Sequence, residues 1–202
     1  SFHGLLEARQ YDELHAQLDS LREMIDIACE GIDRVRSIID DLRTFSRHDD
    51  GVVTPVELAP IVDMAIEIAG GEIRPRARLV RDYGDAPRVR ASTPRLMQVF
   101  VNLLVNAAQA IPEGHVEQNE IRVVIRTGAE GYAEIEVSDT GAGIPPEIQE
   151  RIFDPFFTTK SSNEGTGLGL FITRTIVSSL GGELSFESTP GRGTTFRIRL
   201  PA

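Results

Sequence analysis

A chain of 202 residues is long enough for one ordinary domain and a smaller appendage, and 41% apolar with 26% charged residues is the composition of a globular protein rather than a disordered or membrane-spanning one. The 31 acidic residues outnumber the 21 basic ones, leaving a net charge of −10 with no basic stripe, which argues against nucleic acid as a partner. No apolar run reaches the roughly 20 residues of a spanning helix, and Ser1-Phe2-His3-Gly4 does not open a signal peptide, so neither membrane contact nor export is expected of this segment.

Residues 1–50 hold 12 acids, 6 arginines and no proline. Within them Leu21, Ile25, Ala28, Ile32, Val35, Ile39 and Leu42 alternate spacings of four and three, the seam of a helix that packs on other helices. Met24, Ile38 and Phe45 widen that seam toward a multi-helix bundle. Residues 3–19, a second copy of the chain, or both would cover it. Cys29 is the single cysteine, which excludes an internal disulfide and fits a reducing compartment; any metal would be held by oxygen or histidine. The composition changes near Gly51, dividing a helical segment, 1–51, from a domain, 52–202, that carries all 11 prolines.

Beyond that boundary Val52–Leu58 predicts a short strand and Pro60–Ala69 a helix closed by Gly70-Gly71. Leu79–Tyr83 and Val89–Ala91 read as short strands, and Pro94–Ile111 as a helix capped by Ser92 or Thr93. Ile121–Thr127 and Tyr132–Ser138 form a hairpin-like pair across Gly128–Gly131, and a helix over Gly167–Leu180 precedes strands at Glu183–Glu187 and Thr194–Leu200. Strand pairs mixed with helices, without regular βαβ alternation, predict an α+β fold, a two-layer α/β sandwich.

On the Pro94–Ile111 helix one face is apolar, while Gln98, Asn102, Asn106 and Gln109 line another. Asn is a poor helix former, so two of them one turn apart suit either a buried amide pair satisfied internally or a ligand that carries phosphate and a hard cation. Asp139-Thr140-Gly141-Ala142-Gly143 follows a strand, with a carboxylate placed to accept from an amino group such as that of adenine; taken alone it is also a common tight turn. Gly165-Thr166-Gly167-Leu168-Gly169 opens a helix, where backbone N–H groups favour an anion, or is a hinge. Gly191-Arg192-Gly193-Thr194 by itself reads as a turn.

In this order, Asn102 and Asn106, then Asp139 to Gly143, then Phe153-Asp154-Pro155-Phe156-Phe157-Thr158-Thr159-Lys160, then Gly165 to Gly169, then Gly191 to Thr194 resemble the N, G1, F, G2 and G3 boxes of bacterial two-component sensor histidine kinases. Asp41-Leu42-Arg43-Thr44-Phe45-Ser46-Arg47 is similar to the end of the dimerisation helix in the nitrogen-regulator and oxygen-sensor type. The resemblance covers about residues 20–202 and implies a Bergerat-type ATP-binding sandwich after part of a helical dimerisation and phosphotransfer hairpin. It implies ATP and Mg2+ as cofactors, with Asn106 on the metal, Asn102 at the phosphates as a catalytic residue, and Asp139 on the adenine amino group. Gly141 and Gly143 would shape that pocket, the Gly165, Thr166, Gly167, Leu168 and Gly169 backbone would close over the phosphates, and Thr194 would sit beside adenine. The family's acid or lysine at the end of the Asn helix is Gln109 here, so Lys160, the only lysine in the chain, is the candidate for catalytic compensation of phosphate charge or else an exposed loop residue.

No P-loop and no Rossmann fingerprint is present. Hydrolytic relatives of the fold carry a glutamate on the Asn helix, whereas Pro94–Ile111 has no acid and Asn102 stands at that glutamate's position, which favours transfer over hydrolysis. Neither His3 nor His15 has the adjacent acid and the proline that follow the family's phosphoacceptor, His48 follows the seam helix and His115 lies in a loop, so the acceptor histidine is expected outside this chain, with His15 as a lesser alternative. The alternative is a degenerate kinase that binds nucleotide as a regulatory or scaffold module. The resemblance further implies a homodimer through the N-terminal helices, a response-regulator receiver domain as partner, and a cytoplasmic place in a bacterium, whether or not the full-length protein is anchored in a membrane.

Overall fold

The computed structural model describes residues 20–22, 24, 25, 27–29, 31, 32, 52–160 and 165–202. The chain divides into two compact units, Ser1–Ser46 with Thr159–Thr166, and Arg47–Thr158 with Gly167–Ala202. In the first unit the described residues of 20–32 are helical, and the seam positions Leu21, Ile25, Ala28 and Ile32 are exposed, as is Met24. The remaining seam positions Val35, Ile39 and Leu42, together with Ile38, Phe45, His3, His15 and His48, lie outside the described residues.

The second unit runs β1 (Thr54–Val56), α1 (Leu58–Ile73), β2 (Arg78–Tyr83), β3 (Val89–Ala91), α2 (Thr93–Gln109), β4 (Glu120–Thr127), β5 (Ala133–Asp139), α3 (Pro146–Gln149), α4 (Gly169–Ser179), β6 (Glu183–Thr189) and β7 (Gly193–Leu200). Five strands form one sheet in the order β2-β4-β5-β7-β6, antiparallel except for the parallel edge pair β2 and β4. β1 and β3 form a separate antiparallel pair.

Alternation along the strands separates two faces. Ile121, Val123, Ile125, Ala133, Ile135, Val137, Phe196, Ile198 and Leu200 are buried on one face, against the helices. The other face is a charge ladder: Arg126 donates to Glu134 and, at 2.7 Å, to Glu136, while Arg197 Nε donates to Glu136 at 2.8 Å. Exposed pairs of this kind add little stability, so the apolar layer carries the fold. α2 packs on α1, α4, β4 and β5, and its buried side chains Leu96, Val99, Phe100, Leu103, Leu104, Ala107 and Ala108 make it the centre of the helical layer. The result is a two-layer α/β sandwich, as the strand and helix pattern predicts.

Several boundaries differ from the sequence expectation by one or more residues, and three of them have a clear physical reason. The strand expected over Val52–Leu58 is confined to Thr54–Val56, because Leu58 already begins α1. Gly70-Gly71 does not close α1, which continues to Ile73. Gly70 extends the buried stripe and Ile73 is buried, a gain of about 2 kcal/mol that offsets the roughly 1 kcal/mol penalty of each helical glycine. The stop comes at Pro75, which has no N–H to continue the ladder; Arg76 and Ala77 donate to the Ile73 carbonyl instead. α2 ends at Gln109, two residues short of Ile111, and Ser92 is its N-cap by backbone geometry but its buried hydroxyl makes no capping bond.

Gly71 lies inside α1 with open space where a Cβ would stand. Gly71→Ala is therefore expected to stabilise the protein by about 0.5–1 kcal/mol, read as a raised midpoint in urea with an unchanged slope.

Candidate nucleotide-binding site

Three element ends meet around Asp139. β5 delivers Asp139 as its last residue, β7 delivers Thr194 as its second, and the loop after β5 runs back against the end of α2. Asp139 is 9% exposed, and its Oδ1 accepts the Gly141 N–H at 2.8 Å. Burial pushes its carboxyl up to about 6, while the backbone N–H groups of Gly141 and Thr194 oppose that rise. No arginine or lysine among the described residues pairs with it. A buried carboxylate without a counter-cation, held by two backbone donors, retains capacity to accept from a neutral N–H group.

The loop can hold this carboxylate only because its backbone comes closer to its neighbours than a side chain permits. A Cβ on Gly141 would stand 2.4 Å from the Ala110 carbonyl oxygen, which also accepts the Ala142 N–H at 2.9 Å. Gly143 sits equally close to the β6–β7 turn, and Gly191 N–H donates to the Ala142 carbonyl at 2.7 Å. Thr140 pins the loop to β4: its Oγ1 accepts the Glu120 N–H at 3.0 Å and donates to Asn119 Oδ1 at 3.2 Å.

Asn102 and Asn106 are half-buried on α2. Asn102 Nδ2 donates to the Gly169 carbonyl at 3.2 Å, tying α2 to the first residue of α4 and leaving its Oδ1 for another partner. Leu168 is the N-cap of α4 with its side chain in the core, so its backbone is what it offers a ligand. Gly167 has φ +71 and sits against the Phe156 backbone, whose N–H donates to the Gly167 carbonyl at 3.0 Å. Lys160, Gly165 and Thr166 belong to the other compact unit; all three are half-buried.

The sequence reading missed Ser188, Ile144 and Gln149. Ser188 Oγ accepts the Ile144 N–H at 2.8 Å and lies 2.9 Å from Thr194 Oγ1, while Gln149 Nε2 donates to the Ile144 carbonyl at 2.9 Å. The signal was the β6–β7 hairpin register, which sets Ser188 directly opposite Thr194.

Residues 91–202 match the family model described as histidine kinase-, DNA gyrase B-, and HSP90-like ATPase. The signal transduction histidine-protein kinase AtoS of Escherichia coli (strain K12) is 32% identical over 200 residues, which is 98% of this chain and 31% of AtoS. The sensory histidine kinase/phosphatase NtrB of Rhizobium leguminosarum bv. phaseoli is 32% identical over 197 residues, 92% of this chain and 51% of NtrB. The solved catalytic domain of histidine kinase ThkA matches with a TM-score of 0.63 and 30% identity, over 73% of this chain and 96% of that one. The chain belongs to the histidine kinase-, DNA gyrase B-, and HSP90-like ATPase family. Within that family it is the ATP-binding catalytic portion of a bacterial two-component sensor histidine kinase, and it spans a third to a half of the length of the two curated relatives above.

Gly141→Ala is expected to destabilise the protein by several kcal/mol, on the order of 3 or more, because the Ala110 backbone cannot move without moving the end of α2; urea denaturation measures it. The Asp139 carboxyl, near 6 when folded, titrates near about 4 when unfolded, so the folded state binds the extra proton between those values. Its contribution to stability is fully present below about pH 4 and is lost as pH rises through about 6. Asp139→Ala should remove that segment of the pH dependence, seen as a flatter urea-midpoint profile over this window in the absence of nucleotide.

Proposed function

We propose that this chain binds Mg2+–ATP at the Asp139 pocket and transfers the γ-phosphoryl group to a histidine of a dimerisation hairpin, for relay to an aspartate on a response-regulator receiver domain. The observation that carries the reading is the buried Asp139 carboxylate, which pairs with no arginine or lysine among the described residues and is seated by backbone donors, within a domain of the ATPase family. In this reading Asp139 accepts from the adenine amino group, Gly141 and Gly143 let the base lie against backbone, and Thr194 borders the same edge. Asn102 and the backbone of Gly165, Thr166, Gly167, Leu168 and Gly169 serve the phosphates.

Asn106 is the candidate magnesium ligand. Among the described residues no cluster of three His, Cys, Asp or Glu side chains offers a cage, and a single neutral amide oxygen is a weak ligand for a hard cation. That donor set fits an ion that arrives with the nucleotide and takes its other ligands from phosphate and water. When bound, the ion supplies charge neutralisation on the transferring phosphoryl group. Lys160 supplies a point charge in the same sense, in a chain whose net charge is −10.

Transfer rather than hydrolysis is supported by α2, which contains no Asp or Glu to act as a base toward water. Residues 1–51 are read as part of the dimerisation and phosphotransfer segment, and the exposed apolar positions Leu21, Ile25, Ala28 and Ile32 support a helical partner there, such as a second copy of the chain. Among the described residues no helix is long and apolar enough to cross a membrane.

Calorimetric titration with Mg2+–ATP tests the reading. Asp139→Ala is expected to weaken ATP binding at least about tenfold, the cost of a hydrogen bond to a charged group, and an unchanged affinity would sink the adenine assignment. Wild-type affinity should fall as pH drops through about 6, where the carboxylate takes a proton, and this dependence should vanish in the variant. Lys160→Ala should weaken affinity or transfer more than Arg122→Ala on the outer face of the sheet; equal effects would remove Lys160 from the site.

A further inference from the structure

Ser188 lies on β6, outside every motif that the resemblance assigns, yet its hydroxyl is the junction of the adenine-side loops. It accepts the Ile144 N–H at 2.8 Å, lies 3.2 Å from the Gly193 carbonyl, and lies 2.9 Å from Thr194 Oγ1. A hydroxyl has one proton and two lone pairs. The Ile144 N–H occupies one lone pair, so one proton and one lone pair remain for two neighbours. The Gly193 carbonyl can only accept. If Ser188 gave its proton to Thr194, a lone pair would be left facing the Gly193 carbonyl oxygen, an acceptor against an acceptor in a half-buried site. The arrangement that satisfies every group has Ser188 donating to Gly193 and Thr194 donating to Ser188.

Thr194 is buried, its backbone N–H supports the Asp139 carboxylate, and its hydroxyl proton is committed to Ser188. Toward anything else its oxygen is then an acceptor, beside the acceptor oxygens of Asp139. We infer that Ser188 is a specificity-determining positioning residue, which fixes the polarity of the Thr194 hydroxyl so that Asp139 and Thr194 both present acceptors to the purine 6-substituent and select a 6-aminopurine over a 6-oxopurine nucleotide. An amino group offers two protons to such an edge, whereas a keto oxygen brings lone pairs against lone pairs. Without Ser188 the Thr194 proton is free to rotate and meet a keto oxygen. The inference rests on the assignment of Asp139 to the base.

The experiment compares the dissociation constants of ATP and inosine triphosphate, both with magnesium, at pH 7.5 by calorimetry. Ser188→Ala is expected to narrow the ATP preference by about fivefold, the worth of one ordinary hydrogen bond, with inosine triphosphate gaining relative to ATP. Ser188→Thr, which keeps the hydroxyl, should restore the wild-type ratio. In a Thr194→Val background Ser188→Ala should leave the ratio unchanged, since no hydroxyl remains to be set. Equal loss of both affinities in Ser188→Ala, with the ratio unmoved, would mean that Ser188 only anchors Ile144, and would overturn the inference. Should Ser188→Ala fail to fold, Ser188→Cys, close in size and a weak donor and acceptor, carries the same expectation and the same refutation. Asp139→Ala separates the two layers of the argument: a ratio unaffected by it would remove the base assignment itself, whereas a ratio lost there and unmoved by Ser188→Ala refutes the Ser188 role alone.

Discussion

Burying the Asp139 carboxylate at the end of β5 opposes folding at neutral pH, and much of the local architecture follows from how that charge is kept. A carboxylate out of water needs hydrogen-bond donors, and here they are backbone N–H groups of Gly141 and Thr194 rather than cations. Backbone donors reach the charge only if two loops close on it at van der Waals distance. The Gly141 backbone lies on the Ala110 carbonyl, and the β6–β7 turn reaches the same loop through the Gly191 N–H and Ser188 Oγ. A cation in place of those donors would hold the charge more strongly and leave less for a ligand to satisfy. In the proposed reading, stability withheld at this position is the source of affinity for a neutral amino group.

Charge economy also shapes the rest of the site. An acidic chain that receives a polyphosphate must neutralise it locally, and α2 contributes no acidic side chain toward it. Its polar face carries amides, which bind phosphate or complete a metal's coordination without adding charge. The Asn102 amide also links α2 to the first residue of α4 through the Gly169 carbonyl, so the helix that presents the amides and the helix that begins at the glycine segment are joined by a hydrogen bond. Below this layer the sheet is conventional: apolar residues toward the helices, and arginine and glutamate ladders toward water.

Most elements were legible because each carries a single period. The three- and four-residue spacing of Val99, Phe100, Leu103, Leu104 and Ala107 marks α2, and strict alternation from Ala133 to Val137, with a looser one from Ile121 to Ile125 that Val124 interrupts, marks the central strands. Where local signals misled, tertiary packing had outweighed them. Gly70-Gly71 is a stop signal on propensity, but the burial of Ile73 carries α1 through it until Pro75 removes a donor. Ser92 has the right chemistry for a capping side chain and the backbone geometry of a cap, yet its hydroxyl is buried without a partner.

The sequence by itself determined the order and spacing of the Asn, Asp-Gly and Gly segments, and with them the family, because glycine placement and residue type are properties of the chain that need no coordinates. It also determined the acidic balance that makes local phosphate compensation necessary. Only the tertiary structure decided that Asp139 is buried with no counter-ion among the described residues, that Gly141 rests on the carbonyl of Ala110 some thirty residues earlier, and that Ser188 faces Thr194 across a hairpin. Those facts depend on which backbone atoms come within a few ångströms of one another, and that is set by strand register and helix packing, neither of which is written in any one segment.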